Sequence, residues 1–140
     1  MGATGISRFL TVMIVLLCLA GVVVSSLVLR EHYNTESSPC NINDVWDCGA
    51  VNHSPYAAMR GVPVAMIGIL GYTLLAVLAG RFPWTTAVLA LAGLIFSLRL
   101  TWIEWKVLLV WCIYCVTSQV IIALIFPLAV VAAWLQTRKI

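Results

Sequence analysis

The sequence predicts an all-α integral membrane protein, a four-helix bundle with one long loop between its first and second helices. The 140 residues are 63% hydrophobic and only 9% charged, whereas an ordinary soluble domain is about half apolar and about a quarter charged. The apolar residues also form long runs, and the charged residues lie almost entirely between them. The net charge of +3 is too small and too dispersed to indicate a nucleic-acid partner.

Four apolar runs are long enough to cross a hydrocarbon core about 30 Å thick, which takes about 20 helical residues. They cover approximately residues 9–29, 62–80, 84–103 and 111–135. Because lipid offers no partners to backbone polar groups, a spanning segment satisfies them within a helix or a closed barrel. None of the runs alternates polar and apolar residues, which argues against a barrel. We therefore predict a single domain of four packed helices over residues 1–140.

The first run, preceded by Arg8, is predicted to be a helix and not a cleaved signal sequence. Its apolar stretch is longer than the about 7–15 residues of a signal core. No A-x-A cleavage motif follows it, although Ser25 and Ser26 are small.

Four spans place both termini on one side of the membrane. The basic residues divide evenly, with Arg8, Arg81, Arg138 and Lys139 on the side of the termini and Arg30, Arg60, Arg99 and Lys106 on the other. The positive-inside count is therefore a tie. Four of the five cysteines lie on the second side, and disulfides persist in oxidising compartments such as the bacterial periplasm. We expect cytoplasmic termini and an extracytoplasmic cysteine loop in a bacterial inner membrane.

The long connection covers residues 30–61, and a loop of that length in a compact protein is usually functional. Ser38-Pro39 and Ser54-Pro55 are each typical of a helix start, an N-cap followed by proline. We predict a short helix over Tyr56–Arg60, stopped by Gly61.

Cys112 and Cys115 form a C-x-x-C at the head of the fourth run. Free backbone N–H groups and the helix dipole at an N-terminus stabilise a thiolate, and the thiolate is the species that attacks disulfides. Two sulfurs on one turn can form or open a disulfide with little backbone motion. Cys115 is expected to point deeper into the bundle.

A second pair, Cys40 and Cys48, lies in the long loop with seven residues between its members. Three interpretations are open. The pair could form a structural disulfide, or both pairs could bind zinc, although this spacing is wider than the usual C-x₂₋₄-C. In the third, the loop pair collects electrons and the membrane-embedded pair discharges them.

The joint pattern resembles the vitamin K epoxide reductase family. In this chain it reads Cys40, seven residues, Cys48, five residues and Ser54, and later Cys112 and Cys115 opening the last helix. The resemblance covers essentially the whole chain, with further similarity at Gly68, at residues 72–74 and at residues 102–103. DsbB-type enzymes also have four helices and two cysteine pairs, but in the opposite order along the chain. They are the alternative, together with a membrane metal-binding or structural four-helix protein.

The resemblance implies a membrane thiol–disulfide oxidoreductase that supports disulfide formation. A separate periplasmic thioredoxin-like (DsbA-like) protein, inferred because no such domain follows Ile140, would attack Cys40. Freed Cys48 would then attack Cys112 after a movement of the loop, and Cys115 would be released as a thiolate beside a membrane quinone. The quinone is expected to be the electron acceptor.

The resemblance also implies contacts to the quinone from Ser54, Tyr72 and Cys115. Ser54 matches a loop Ser/Thr of the family, but its hydroxyl could instead cap the Pro55 helix. His53 could supply a proton or be merely solvated.

Two positions depart from family members that act on vitamin K. Val64 replaces an asparagine at the head of the second helix, and Gln119 replaces a tyrosine one turn beyond the C-x-x-C. Both departures favour a bacterial-type enzyme that uses ubiquinone or menaquinone.

Two further residues have simple structural interpretations. Cys18 lies in the middle of the first run and is predicted to be a small buried hydrophobe. Arg99, near the outer end of the third run, is predicted to snorkel to the interface, to pair with Glu104 or to have a function of its own.

Overall fold

The computed structural model describes residues 3–33 and 40–138, and in them four apolar helices pack into an all-α bundle. The bundle helices are α1 (Ala3–Tyr33), α3 (Val64–Leu78), α4 (Pro83–Ile103) and α5 (Ile113–Arg138). The loop after α1 contains a short helix, α2 (Cys48–Asn52). A π-helical turn, Glu104–Leu108, extends α4. The predicted helix start at Ser38-Pro39 lies outside the described residues.

Three of these helices are long and apolar enough to cross a membrane, over Gly5–Tyr33, Pro83–Leu108 and Ile113–Arg138. The run of residues 62–80 was predicted to be a fourth full span, but α3 has only 15 residues. At 1.5 Å per residue it is about 22 Å long, less than a hydrocarbon core of about 30 Å. At its start, Val62 and Pro63 belong to a β-strand instead of the helix. At its end, a turn at residues 79–81 follows Leu78.

The core of the bundle lies between α1 and α5, which pack against each other; α3 packs on α1, and α4 on α5. The buried side of α1 is a stripe of residues three or four apart, the spacing of one helical face. It consists of Ser7, Leu10, Ile14, Cys18, Gly21, Ser25, Val28 and Glu31. Cys18 is fully buried in this core, as predicted.

Gly21 lets α1 and α3 approach closely. A Cβ atom at this position would lie 2.5 Å from the ring of Tyr72 on α3. Small residues at helix interfaces permit such close packing in membrane proteins. The contact holds α3 against α1 beside the cavity described below.

The predicted helix over Tyr56–Arg60 is wrong. Pro55–Ala57 forms one 3₁₀ turn, and then strand β1 (Ala58–Met59) pairs antiparallel with β2 (Val62–Pro63). Arg60 and Gly61 connect the strands with φ of 52° and 84°. Positive φ at both central residues is typical of a tight hairpin turn, so the glycine serves a hairpin and does not stop a helix.

Candidate active site

A parallel β-bridge between Trp46 and Trp111 joins the cysteine loop to the start of α5. The Asp47 N–H donates to the Trp111 carbonyl at 2.9 Å, and the Trp111 N–H donates to the Val45 carbonyl at 2.7 Å. Cys48 and Cys112 each follow this bridge closely in the chain. The two hydrogen bonds therefore bring the two cysteine pairs together.

The sulfur atoms of the two pairs are in contact. Cys40 and Cys48 form a disulfide, and Cys112 and Cys115 are free thiols. The Cys112 thiol lies 3.2 Å from Cys48 Sγ. The expected loop movement is therefore not needed for this approach, because the β-bridge already holds Cys48 at the C-x-x-C.

Cys112 lies immediately before α5, where its sulfur accepts hydrogen bonds. The Cys115 N–H points at Cys112 Sγ across 3.4 Å. Hydrogen bonding from the Cys115 side chain lowers the pKa of the Cys112 thiol, against an opposing effect of burial. The first turn of α5 thus favours the thiolate at Cys112.

Asn52 also contacts this sulfur, a role that the sequence did not reveal. Its buried side chain donates to the Cys48 carbonyl at 2.9 Å and to Cys112 Sγ at 3.6 Å. His32 Nδ1 lies 2.9 Å from the Asn52 carbonyl oxygen and joins the end of α1 to α2. The only signal in the sequence was the position of Asn52 one helical turn after Cys48.

Glu104 is the second contact missed from the sequence. It is only 4% exposed, and its Oε2 accepts a hydrogen bond from the Cys112 N–H at 3.2 Å. The carboxyl also interacts with the Cys115 side chain. The expected alternative of a pair with Arg99 is not realised, because Arg99 is exposed on α4 while the carboxyl faces the cysteines.

A cavity of about 330 Å³ lies between the four bundle helices and has Cys115 in its wall. Most of its lining is apolar. The side chains with hydrogen-bonding groups are Ser25, Tyr72, Ser97, Thr101, Glu104 and Ser118. A smaller cavity of about 50 Å³ beside the loop shares Cys115 and Glu104 with it. Cys115 is therefore accessible from both cavities.

The residues predicted to contact a quinone line different cavities. Tyr72 lines the larger one, where its hydroxyl lies 2.8 Å from both the carbonyl and the side-chain oxygen of Ser118. Ser54 lines only the smaller one, and its hydroxyl donates to the Val51 carbonyl at 2.7 Å. This hydroxyl makes no capping bond to the turn at Pro55, so the predicted capping role is wrong.

Three other positions singled out in the sequence have distinct places. Val64 lines both cavities, at the head of α3. Gln119 contacts the hydroxyl of Thr101 across the α4–α5 interface. The side chain of His53 is exposed and lies in the described lining of neither cavity.

Residues 12–130 match the model of the vitamin K epoxide reductase family. The chain belongs to this family. A comparison with curated proteins gave no match. Membership of the vitamin K epoxide reductase family, together with the apolar helices and the bonded cysteine pair, makes this chain a membrane oxidoreductase of thiols and disulfides.

The alternative function for the cysteines was metal binding. Three of their sulfur atoms are close enough together to be considered as ligands. Cys40, Cys48 and Cys112 have sulfur atoms within 4.8 Å of one another. Zinc binds thiolates, whereas two of these sulfurs are bonded to each other. The arrangement in the described residues suits disulfide exchange better than metal binding.

Proposed function

We propose that this protein oxidises the dithiol of a thioredoxin-like partner and reduces a membrane quinone through its two cysteine pairs. The contact between Cys48 and Cys112 sulfurs at 3.2 Å carries this proposal. A disulfide and a thiol at that distance can exchange with small adjustments of their side chains. The net result is a disulfide in the partner, which supports disulfide formation in other proteins.

Electrons enter at the loop pair. A partner thiolate attacks Cys40, forms a mixed disulfide with it and releases Cys48 as a thiolate. The second partner thiol then displaces Cys40, which leaves an oxidised partner and two reduced loop cysteines. Cys40 is the proposed point of entry because Cys48 is already in contact with Cys112. Cys40 is itself buried, so the loop has to open for the partner to reach it.

Electrons then pass to the inner pair. Cys48 attacks Cys112 in the Cys112–Cys115 disulfide and releases Cys115 as a thiolate, which takes up the proton that Cys48 has lost. Cys40 attacks Cys48, restores the loop disulfide and leaves Cys112 reduced. A bonded Cys40–Cys48 pair beside two free thiols is the arrangement expected once both electrons are on the inner pair.

The larger cavity suits a quinone by its volume and its chemistry. Ligand sites of this kind are mostly apolar with a few polar groups that orient the ligand, and a quinone ring has two carbonyl oxygens to be oriented. The hydroxyls of Tyr72 and Thr101 lie along the wall, where Ser118 and Gln119 hold them in place. Cys115 supplies the reducing sulfur at the end nearest the loop, and Ser54 approaches that end from the smaller cavity.

The proposed location is the bacterial inner membrane, with cytoplasmic termini and a periplasmic cysteine loop. This topology has four crossings, so α3 has to complete its crossing with the apolar residues that flank it at 62–63 and 79–80. The partner is a separate DsbA-like protein, and the acceptor is ubiquinone or menaquinone. Disulfide exchange on the outer side is supported by the oxidising character of the periplasm. Val64 and Gln119, at the positions that differ from vitamin K-specific family members, support a respiratory quinone.

The test is anaerobic mixing of the purified protein with a reduced thioredoxin-fold partner and soluble analogues of ubiquinone or menaquinone. We expect the quinone absorbance to fall in step with oxidation of the partner. The Cys112→Ser, Cys115→Ser double variant is the control and should be inactive. Quinone reduction that survives this double substitution would contradict the proposal, as would stoichiometric zinc in the purified protein.

A further inference from the structure

Glu104 places a buried carboxyl group at the C-x-x-C, where it bonds to the Cys112 N–H and lies beside the Cys115 side chain. It is the first residue of the π-helical turn Glu104–Leu108, and such turns occur frequently at functional sites. The turn ends at Leu109, which has a positive φ of 59°. This geometry directs the Glu104 side chain back toward the head of α5, where it meets the Cys112 N–H.

Glu104 is the one residue with a charged side chain in the described lining of the two cavities. The described lining of the two cavities contains no second carboxylate and no histidine, lysine or arginine. The other titratable side chains there are Cys115, Tyr72 and Tyr56. A buried carboxyl is costly in free energy, and ionisable groups retained in membrane proteins at such sites usually serve proton or ion transfer.

We propose that Glu104 is a catalytic proton-transfer residue, which takes the proton of the Cys115 thiol and delivers it to the quinone. This role rests on the proposed function. The carboxyl lies beside the reacting thiol, and both residues line the two cavities. Its hydrogen bond from the Cys112 N–H holds one carboxylate oxygen in place, and the other oxygen is available to carry the proton.

The step balances without a further reactant. Cys115 gives its proton to the Glu104 carboxylate, and its sulfur, joined by that of Cys112, donates two electrons to the quinone. The new bond is the Cys112–Cys115 disulfide. Glu104 passes the Cys115 proton to one quinone oxygen, and it then accepts the proton of the Cys112 thiol and passes it to the other oxygen. The products are one disulfide, one hydroquinone and a carboxylate ready for the next turnover.

Glu104→Gln tests the role because its amide oxygen can still accept the Cys112 N–H bond but the side chain cannot carry a proton. We expect quinone reduction to fall by about 100-fold, a typical loss for general acid–base catalysis. Exchange between the two cysteine pairs, followed by rapid alkylation after adding reduced partner without quinone, should be unchanged. Glu31→Gln is the matched control, since Glu31 is also buried but lines neither cavity in the described residues.

Infrared difference spectra between the dithiol and disulfide states of quinone-free protein provide a readout independent of turnover. Wild type and Glu31→Gln should show a change in a carboxyl C=O band that Glu104→Gln lacks. An identical spectrum in Glu104→Gln, or undiminished quinone reduction, would overturn the assignment. If Glu104→Gln does not fold, Glu104→Asp replaces it and must shift the band. Failure of the wild type to reduce any quinone would instead refute the proposed function. The infrared spectra would still test whether the Glu104 carboxyl responds to oxidation of the dithiol.

Discussion

The four cysteines of the site differ in their surroundings, and these differences suit different tasks. Cys40 and Cys48 are bonded in the loop, Cys112 is fully buried where the loop meets α5, and Cys115 faces the apolar cavity. A sulfur that faces apolar space is suited to a lipid-soluble acceptor. A sulfur in contact with the loop disulfide is suited to exchange with it.

Replacement of Cys115 should trap an intermediate between the pairs. In Cys115→Ser the inner disulfide cannot form, so Cys112 is left to bond with Cys48, whose sulfur is 3.2 Å away. We expect loss of quinone reduction and accumulation of the Cys48–Cys112 bond, detected by mass spectrometry of unreduced peptides. Cys18→Ala, in the bundle core, is the control and should keep nearly full activity. Absence of the mixed bond would argue against direct exchange between these sulfurs.

At the scale of the helices, close packing of α1 on α3 shapes one wall of the cavity. Gly21 on α1 accommodates the ring of Tyr72, which in turn reaches Ser118 on α5. Three helices are thus joined through one tyrosine. Packing is looser around Gly71 on α3, where an added Cβ atom would meet no neighbour within 4 Å.

Gly21→Ala should therefore destabilise the bundle. Its Cβ atom would lie 2.5 Å from the Tyr72 ring, and overpacking of this kind costs about 1–3 kcal/mol. Thermal unfolding in detergent is the measurement, and a lower midpoint is expected. Gly71→Ala on α3 is the matched control, because it adds the same methyl group in open space and should not lower the midpoint. Equal midpoints for the two variants would contradict the packing described here.

At the scale of the whole molecule, the active site depends on contacts between segments that are far apart in the chain. The β-bridge between Trp46 and Trp111 attaches the loop to α5, and Glu104 reaches the same point from the end of α4. His32, at the end of α1, contacts the carbonyl oxygen of Asn52 and so links α1 to the site. The site is therefore assembled only when the bundle and the loop are folded together.

Breaking the bridge should slow electron transfer between the pairs. Trp111→Pro removes the N–H that donates to the Val45 carbonyl at 2.7 Å, and loss of a hydrogen bond worth about 1 kcal/mol corresponds to a rate lower by about five- to tenfold. Trp111→Phe retains the N–H and is the control. The exchange between the two cysteine pairs is measured by rapid alkylation of free thiols after reduced partner is added without quinone. Equal rates in the two variants would show that the bridge does not position Cys48.

The sequence by itself determined the membrane bundle and its family, because composition, the length of apolar runs and the spacing of cysteines are local properties. The C-x-x-C at the head of the last helix belongs to this group of predictions. The hairpin of residues 58–63 was mispredicted because proline and glycine mark both helix ends and turns. That same hairpin takes the first two residues of the predicted run, and a turn at residues 79–81 ends α3 at Leu78.

Only the tertiary structure decided which groups meet Cys112. The contacts from Cys48, Asn52 and Glu104 come from the loop and from α4, at sequence separations of 64, 60 and 8 residues. In the sequence, Glu104 was simply an acid near Arg99. A charged side chain at the end of an apolar helix can face solvent or the bundle interior, and the packing of α4 on α5 together with the π-helical turn selects the interior.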